Sequence, residues 1–271
     1  MADASDPIRP DELEGLFGGP RSVTAKSCAL AVSGGSDSTA LMVLFAEWLS
    51  QTGRPTSHFT VLTVDHGLRP ESGAEAEAVG HQAEALGFRH AILVWPGAKP
   101  STALQEAARV ARYRLMAGHM RADGIPVLMT AHTLDDQSET LLMRLARGSG
   151  LDGLCAMAPL SPLLAADQQL DGLMIARPLL GVPKLRLQAT LQARGIGWIE
   201  DPSNQSPAFE RVRLRAARSD LEALGLTGEM LALSARRLQR ARAALEESVE
   251  AFLAPASANA HTDPCGFFRL E

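Results

Sequence analysis

The stretch "ALAVSGGSDSTALMVLF", residues 29–45, runs from one apolar segment into another through two glycines and a few small polar residues. The first segment is short enough for a buried strand and the second long enough for a helix, so the junction is a strand-to-helix turn. Gly34 and Gly35 let the backbone there take positive φ and come close to a ligand. Ser36, Asp37 and Ser38 are N-cap residue types, and the helix after them offers unpaired N–H groups and a positive dipole end. The junction reads as an anion cradle. No G-K-[ST] follows the glycines and the pattern is not G-x-G-x-x-G, which excludes two common phosphate loops.

Working outward, strand-like runs at residues 28–33, 60–65, 90–95, 127–131 and 174–177 alternate with helical patterns at 38–49, 74–86, 104–121 and 134–147. This βαβα order predicts an α/β fold, a parallel sheet with helices on both faces, with ligands at the carboxyl ends of the strands. After Gln205 the pattern becomes arginine-rich helix at 211–224 and 228–253, without a strand signal. The expected organisation is a short helix and connector at 1–24 (Pro7, Pro10, Pro20, Gly18-Gly19), an α/β domain at 25–205 and a basic helical extension at 206–271. From Gln205 to Leu245 eight arginines face four acids, opposite in sign to the chain's net charge of −5. A polyanion partner must therefore be held by a local basic patch, and this extension is the candidate.

A chain of 271 residues, 46% hydrophobic, can bury a sizeable core. No uncharged apolar run reaches the roughly 18 residues of a membrane span, and the N-terminus lacks the basic-then-apolar order of a signal peptide, so a cytoplasmic protein without a membrane partner is expected. Cys28, Cys155 and Cys265 are scattered, which suggests neither a disulfide framework nor a zinc site.

Chemistry-bearing residues gather after the predicted strands. An aspartate at the mouth of a phosphate loop repels its ligand unless a cation intervenes, which makes Asp37 a candidate Mg²⁺ contact. Arg109 and Arg112 lie three apart on one helical face and can reach a phosphate or carboxylate together. Asp135, Asp136 and Glu139 crowd the first turns of one helix, more acid than the helix dipole needs. Asp136 and Glu139, three apart, form a like-charge pair that calls for a cation, either an ammonium group or Mg²⁺. His132 follows a strand and can touch phosphate or a reacting base. Arg177, before Pro178, can neutralise an anionic leaving group. The glycine-rich 147–153 segment is either a connector or an entry for RNA, and Asp201, Pro202 and Asn204 read as a turn without chemistry.

The string Ser33-Gly34-Gly35-Ser36-Asp37-Ser38 resembles the S-G-G-x-D-S loop of the N-type ATP pyrophosphatases, which implies ATP cleaved between its α- and β-phosphates to adenylate a substrate. Four further strings, "VDHGLRPES" (64–72), "EAARVARYRLM" (106–116), "TAHTLDDQSETLLMRLARGSGLDGL" (130–154) and "RPLL" (177–180) before "WIEDPSN" (198–204), taken in order, resemble the tRNA(Ile)-lysidine synthetases. The resemblance implies a tRNA-processing ligase that uses ATP, Mg²⁺, free L-lysine and an isoleucine tRNA with a CAU anticodon. Residues 33–38 would bind the ATP phosphates, Asp65 and His66 would meet the nucleotide, and Arg109 and Arg112 would hold substrate. Asp136 and Glu139 would recognise lysine, while Asp37, His132 and Arg177 would serve the reaction. It also implies C-terminal tRNA-binding domains beyond the extension seen here, so the chain is expected to be either a short form or a truncated one. The alternatives are another adenylating pyrophosphatase, of thiolase type, which the lack of cysteine pairs disfavours, or of amidotransferase type, and a non-catalytic nucleotide-binding regulator.

Overall fold

The structure is a computed structural model that describes residues 5–18, 27–165, 168–200, 210–257, 260–262 and 268–270. It divides into two compact units, Met1–Asp136 with Ala158–Arg213, and Gln137–Met157 with Leu214–Glu271. The Gln205 boundary, Gly19, Pro20, Cys265 and the 201–204 turn lie outside the described residues.

The larger unit holds β1 (Ala29–Ala31), β2 (Thr60–Asp65), β3 (Arg89–Val94), β4 (Val127–Met129), β5 (Leu160–Ala165) and β6 (Gln168–Ala176) in one six-stranded sheet of order β3-β2-β1-β4-β6-β5. Neighbours are parallel except β5, which runs antiparallel to β6. Side chains alternate across the sheet as its period of two requires. Leu30, Val61, Val127 and Met129 face a core shared with α1 (Leu13–Phe17), α2 (Ser36–Gln51), α3 (Ser72–Ala85) and α7 (Lys184–Ala193). Ala29, Leu62 and Leu128 face the opposite core, under Tyr113, Met116 and Met120 of α4 (Leu104–Ala122).

The expected α/β architecture is present, with four departures. The predicted 174–177 strand is the end of a hairpin arm, and its partner β5 escaped notice because Pro162 interrupts the run. Proline lacks an N–H for the ladder and survives here because β5 is an edge strand, with a register shift between Pro162 and Leu164. Helix α7 carries no clear apolar stripe in the sequence. Its buried side, Leu187, Thr190 and Leu191, includes a threonine whose hydroxyl accepts from the Ile8 N–H and donates to the Arg186 carbonyl. The expected N-terminal helix packs into the same core, where Ile8, Leu13 and Phe17 are buried and Glu14 accepts from the Trp48 indole at 2.9 Å.

The smaller unit holds most of α5 (Leu134–Ala146), then α6 (Leu151–Leu154) and α10 (Gly228–Ser257), with Leu141, Leu231 and Ala235 as its core. The predicted 211–224 helix is broken at Ala217 into α8 (Glu210–Ala216) and α9 (Arg218–Ala223). The fourth departure is a strand pair, Ala260–Thr262 with Phe268–Leu270, where none was expected. Three-residue strands are too short to show a period of two. The 147–153 segment carries α6 and is pinned by Arg144, which donates to the carbonyls of Gly153 and Ala156 at 2.8 and 3.0 Å.

Candidate active site

The chain builds outward from β1 to β2 and β3 on one side, then crosses to β4 on the other, so the strand order reverses between β1 and β4. A crevice outside the carboxyl ends of two such strands is where open parallel sheets place their ligands. The residues after β1 are Val32 to Gly35, and those after β4 are Thr130 to Thr133.

The loop after β1 is closed by its own side chains. Gly35, not one of the serines, is the N-cap of α2, so Ser36, Asp37 and Ser38 sit in the first turn of a helix that begins two residues earlier than predicted. Ser38 Oγ accepts from the Ser33 N–H at 3.1 Å and donates to the Gly35 carbonyl at 3.0 Å, while the buried Thr39 hydroxyl donates to the Gly34 carbonyl at 3.1 Å. Ser38 therefore shapes the cradle from within. Gly34 takes φ of +85°, and a Cβ there would stand 2.6 Å from Ile199 Cδ1.

Asp37 points to Lys184, whose ammonium lies 3.0 Å from Oδ2. Burial lifts the Asp37 carboxyl above the usual carboxylate range, and nearby Asp136 adds to the rise while Lys184 opposes it. No sequence signal marked Lys184, because a single lysine at a helix start belongs to no motif. Among the described residues no group of three or more His, Cys, Asp or Glu is placed to hold a metal. A single carboxylate such as Asp37 could give Mg²⁺ one protein contact, the kind of site in which phosphates and water would supply the rest.

Asp136 Oδ2 accepts from both the N–H and the hydroxyl of Thr133 at 2.9 Å, and Thr133 Oγ1 accepts in turn from the Asp136 N–H. This reciprocal capping box starts α5. Asp135 Oδ2 accepts the Lys184 N–H at 2.8 Å and so caps α7. Glu139, 6% exposed, receives Arg215 through two hydrogen bonds, 2.6 Å from Nε and 3.2 Å from Nη2. Of the like-charge pair expected to call for a cation, Glu139 is met by the Arg215 guanidinium and Asp136 by the uncharged donors of Thr133. The reason is tertiary, since Arg215 is 76 residues away.

In the loop after β4, His132 Nδ1 lies 2.8 Å from Thr130 Oγ1. Burial and the positive charges of Arg177, Arg109 and Arg211 push His132 down to about 4, against the pull of Asp136. Arg177 Nη1 donates to the Ala158 carbonyl and Ser161 Oγ. In the loop after β2, Asp65 Oδ1 accepts from Ser72 Oγ and the Gly67 N–H at 2.6 and 2.8 Å, which lowers its carboxyl below the usual range. His66 is pushed down to about 4 by burial and by Arg112. Arg112 lies 3.3 Å from His66 Nε2 and can only donate, so the imidazole carries its proton on Nδ1. The Arg109 guanidinium instead stacks over Tyr113 at 5.1 Å. His66 Nδ1 and Arg177 Nε are buried and meet no hydrogen-bond partner among the described residues. Two unmatched donors in loops at the sheet's carboxyl edge suit an anionic, acceptor-rich substrate.

Both histidines bind fewer protons folded than unfolded between their ordinary value of 6.5 and about 4. Stability is therefore unaffected by them above pH 6.5 and falls as pH drops through that window. Urea unfolding at pH 7.5 and pH 5 should show the loss, and His132→Gln should make the slope shallower. An unchanged slope in the variant would rule out His132 as a source.

Among the described residues no helix is long and apolar enough to cross a membrane. Residues 11–219 match the PP-loop domain family ATP_bind_3. The chain is 49% identical over 254 residues to the tRNA(Ile)-lysidine synthase of Bradyrhizobium diazoefficiens, covering 93% of this chain and 68% of that protein. It is 48% identical over 253 residues to that of Methylobacterium sp. strain 4-46, covering 93% and 70%. In fold it is similar to the U34-tRNA thiolase NcsA from Methanococcus maripaludis, with a TM-score of 0.67 and 17% identity over 84% of this chain and 76% of that one. The phosphate loop at the β1–β4 reversal and this extended identity carry one conclusion: the chain belongs to the PP-loop ATP_bind_3 family and, within it, to the tRNA(Ile)-lysidine synthases.

Proposed function

We propose that the chain joins free L-lysine to the wobble cytidine of an isoleucine tRNA with a CAU anticodon. In the first half-reaction the cytidine C2 oxygen attacks the α-phosphorus of ATP and pyrophosphate leaves. In the second, the lysine ε-amine attacks C2, loses its proton, and AMP leaves with the C2 oxygen. ATP supplies the activation, so the protein's work is positioning and charge stabilisation.

The observation that carries this reading is the grouping of Asp37, His132 and Asp136 beside the phosphate loop, where the Asp136 carboxylate adds to the rise of the Asp37 carboxyl and opposes the fall of His132. The residue 33–38 loop, with Asp65 and His66, takes ATP, and Asp37 holds Mg²⁺, which neutralises phosphate charge when bound. Arg109, Arg112 and Arg177 meet tRNA or the leaving anion. His132, neutral at pH 7, touches the phosphates or the reacting base through a ring nitrogen. Asp136 and Glu139 take lysine, a role supported by the bidentate cation that Glu139 already accepts. A sulfur-transfer reading finds no support in Cys28 and Cys155, both buried with burial raising their thiols.

Incubation with ATP, Mg²⁺, labelled lysine and bulk tRNA, followed by nucleoside analysis, tests the proposal. Label in a lysine-modified cytidine is expected; pyrophosphate release without lysine transfer would argue against it.

Residues 25–205 are proposed as the catalytic domain and 206–271 as a tRNA-binding extension. Arg218 and Arg242 pair with Glu222 and Glu246, whereas Arg236, Arg237 and Arg240 are exposed and form no ion pair among the described residues. Neutralising those three together should reduce the salt slope of tRNA binding by up to about 3 units while sparing ATP affinity. An unaltered slope would return them to ordinary surface residues.

A further inference from the structure

His132 carries its proton on one of two ring nitrogens, and a neighbouring hydroxyl decides which. Burial keeps the ring neutral at pH 7, so one nitrogen donates a hydrogen bond and the other accepts. The Thr130 hydroxyl, 2.8 Å from Nδ1, could play either part in that contact. Its other neighbour is the Ala176 carbonyl at 3.5 Å, beyond the range of about 2.5–3.0 Å in which O–H groups bond oxygen. If Nδ1 carried the proton, the hydroxyl would have to accept it and turn its own proton toward that distant carbonyl. Thr130 is 6% exposed, and a buried hydroxyl proton without an acceptor is costly. Donation from the hydroxyl to Nδ1 avoids the cost and leaves the imidazole proton on Nε2.

The charges around the ring give that tautomer a use. Arg177, Arg109 and Arg211 act on His132 as positive neighbours, against the single carboxylate of Asp136. Three guanidiniums favour an anion there. A ring nitrogen that presents a lone pair would repel it, whereas an N–H adds a donor. The hydroxyl is not needed to hold the strand, because the Thr130 N–H donates to the Ala176 carbonyl at 2.9 Å and continues the β4–β6 ladder without it.

We propose that Thr130 is a positioning residue for His132: its hydroxyl donates to Nδ1, fixes the neutral ring with the proton on Nε2, and so makes His132 a hydrogen-bond donor to an anionic oxygen of the substrate. The proposal rests on His132 belonging to the adenylation site, and it gives the threonine after β4 a part in the reaction through the ring that it orients.

Two measurements on the full chain test it. Nitrogen magnetic resonance of isotope-labelled histidine reports which ring nitrogen is protonated, and the spectrum of His132→Ala identifies the His132 signals among those of the seven histidines. At pH 7.5 Nδ1 should appear unprotonated and Nε2 protonated; the reverse would overturn the proposal. Thr130→Val keeps the branched shape without the hydroxyl and should mix the two tautomers, while Thr130→Ser should restore the single one. An unchanged pattern in Thr130→Val would overturn the proposal as well.

The second measurement is pyrophosphate release in a single turnover with saturating ATP, Mg²⁺ and tRNA. Thr130→Val should slow it about tenfold or more and Thr130→Ser by no more than about threefold, with ATP affinity little altered. In the His132→Ala background Thr130→Val should cause no further loss, because the ring that it orients is gone. Equal losses with and without His132 would mark Thr130 as a structural residue alone and overturn the proposal. Failure of the adenylation reading shows separately, as an unaltered chain that releases no pyrophosphate or a His132→Ala variant as fast as the unaltered chain. Either result removes His132 from the reaction, and this proposal with it, whatever the tautomer.

Discussion

Replacing Glu139 with glutamine should stop the reaction halfway: adenylated tRNA accumulates in a quenched single-turnover assay while lysine transfer slows. Lysine arrives as an ammonium ion yet must present a neutral amine to C2, so its site needs negative charge for capture and an acceptor for the departing proton. Glu139 is buried and already binds a guanidinium with both oxygens. Glutamine keeps the shape but removes the charge from such a contact, a loss of about 2–5 kcal/mol, or roughly 30-fold to several thousandfold in the transfer step. Adenylation uses only ATP and the cytidine oxygen and should persist. The assay is run well below the variant's melting temperature, since losing the Arg215 pair also lowers stability. If both half-reactions collapse together, Glu139 serves the nucleotide, and the lysine assignment is wrong.

The two loop glycines should fail in different ways. Gly34→Ala places a side chain at φ of +85° and sets its Cβ 2.6 Å from Ile199 Cδ1 and 3.1 Å from Val79 Cγ2. Left-handed backbone costs about 1–2 kcal/mol for a non-glycine residue and overpacking about 1–3 more, so a loss of roughly 2–5 kcal/mol in unfolding free energy is expected. Gly35 has φ of −67°, and its added Cβ would meet only Ser33 Oγ, at 3.9 Å. Gly35→Ala should therefore fold like the unaltered chain. Its methyl group would nevertheless stand at the N-cap, where phosphate must approach the backbone, and ATP affinity should fall about tenfold or more. Thermal melting and ATP titration of both variants check this. Normal ATP binding by Gly35→Ala would move the ligand off that face of the loop.

Much of the candidate site was legible because it is local. The strand-glycine-glycine-helix junction, the apolar runs of β2 and β4, and the acids at the start of α5 are each written in a short stretch of neighbouring residues. Their backbone consequences follow from sterics and hydrogen bonding over that range. The start of α2 was misread by two residues because three N-cap types in a row compete, and glycine won the cap. Helix α7 and strand β5 were missed for the opposite reason: a buried threonine and an edge-strand proline are acceptable only once their tertiary neighbours exist.

Local order along the chain was thus enough to set the alternation of strands and helices and the glycine turn that joins β1 to α2. Which charges balance which was settled by contacts across the fold. Asp37 with Lys184 spans 147 positions and Glu139 with Arg215 spans 76. Charge pairing depends on distance in space and on removal from water, and neither is encoded in spacing along the chain. Short-range sterics place Asp37 on the first turn of its helix and Glu139 on the second turn of its own; only the packed structure brings a lysine to one carboxylate and an arginine to the other.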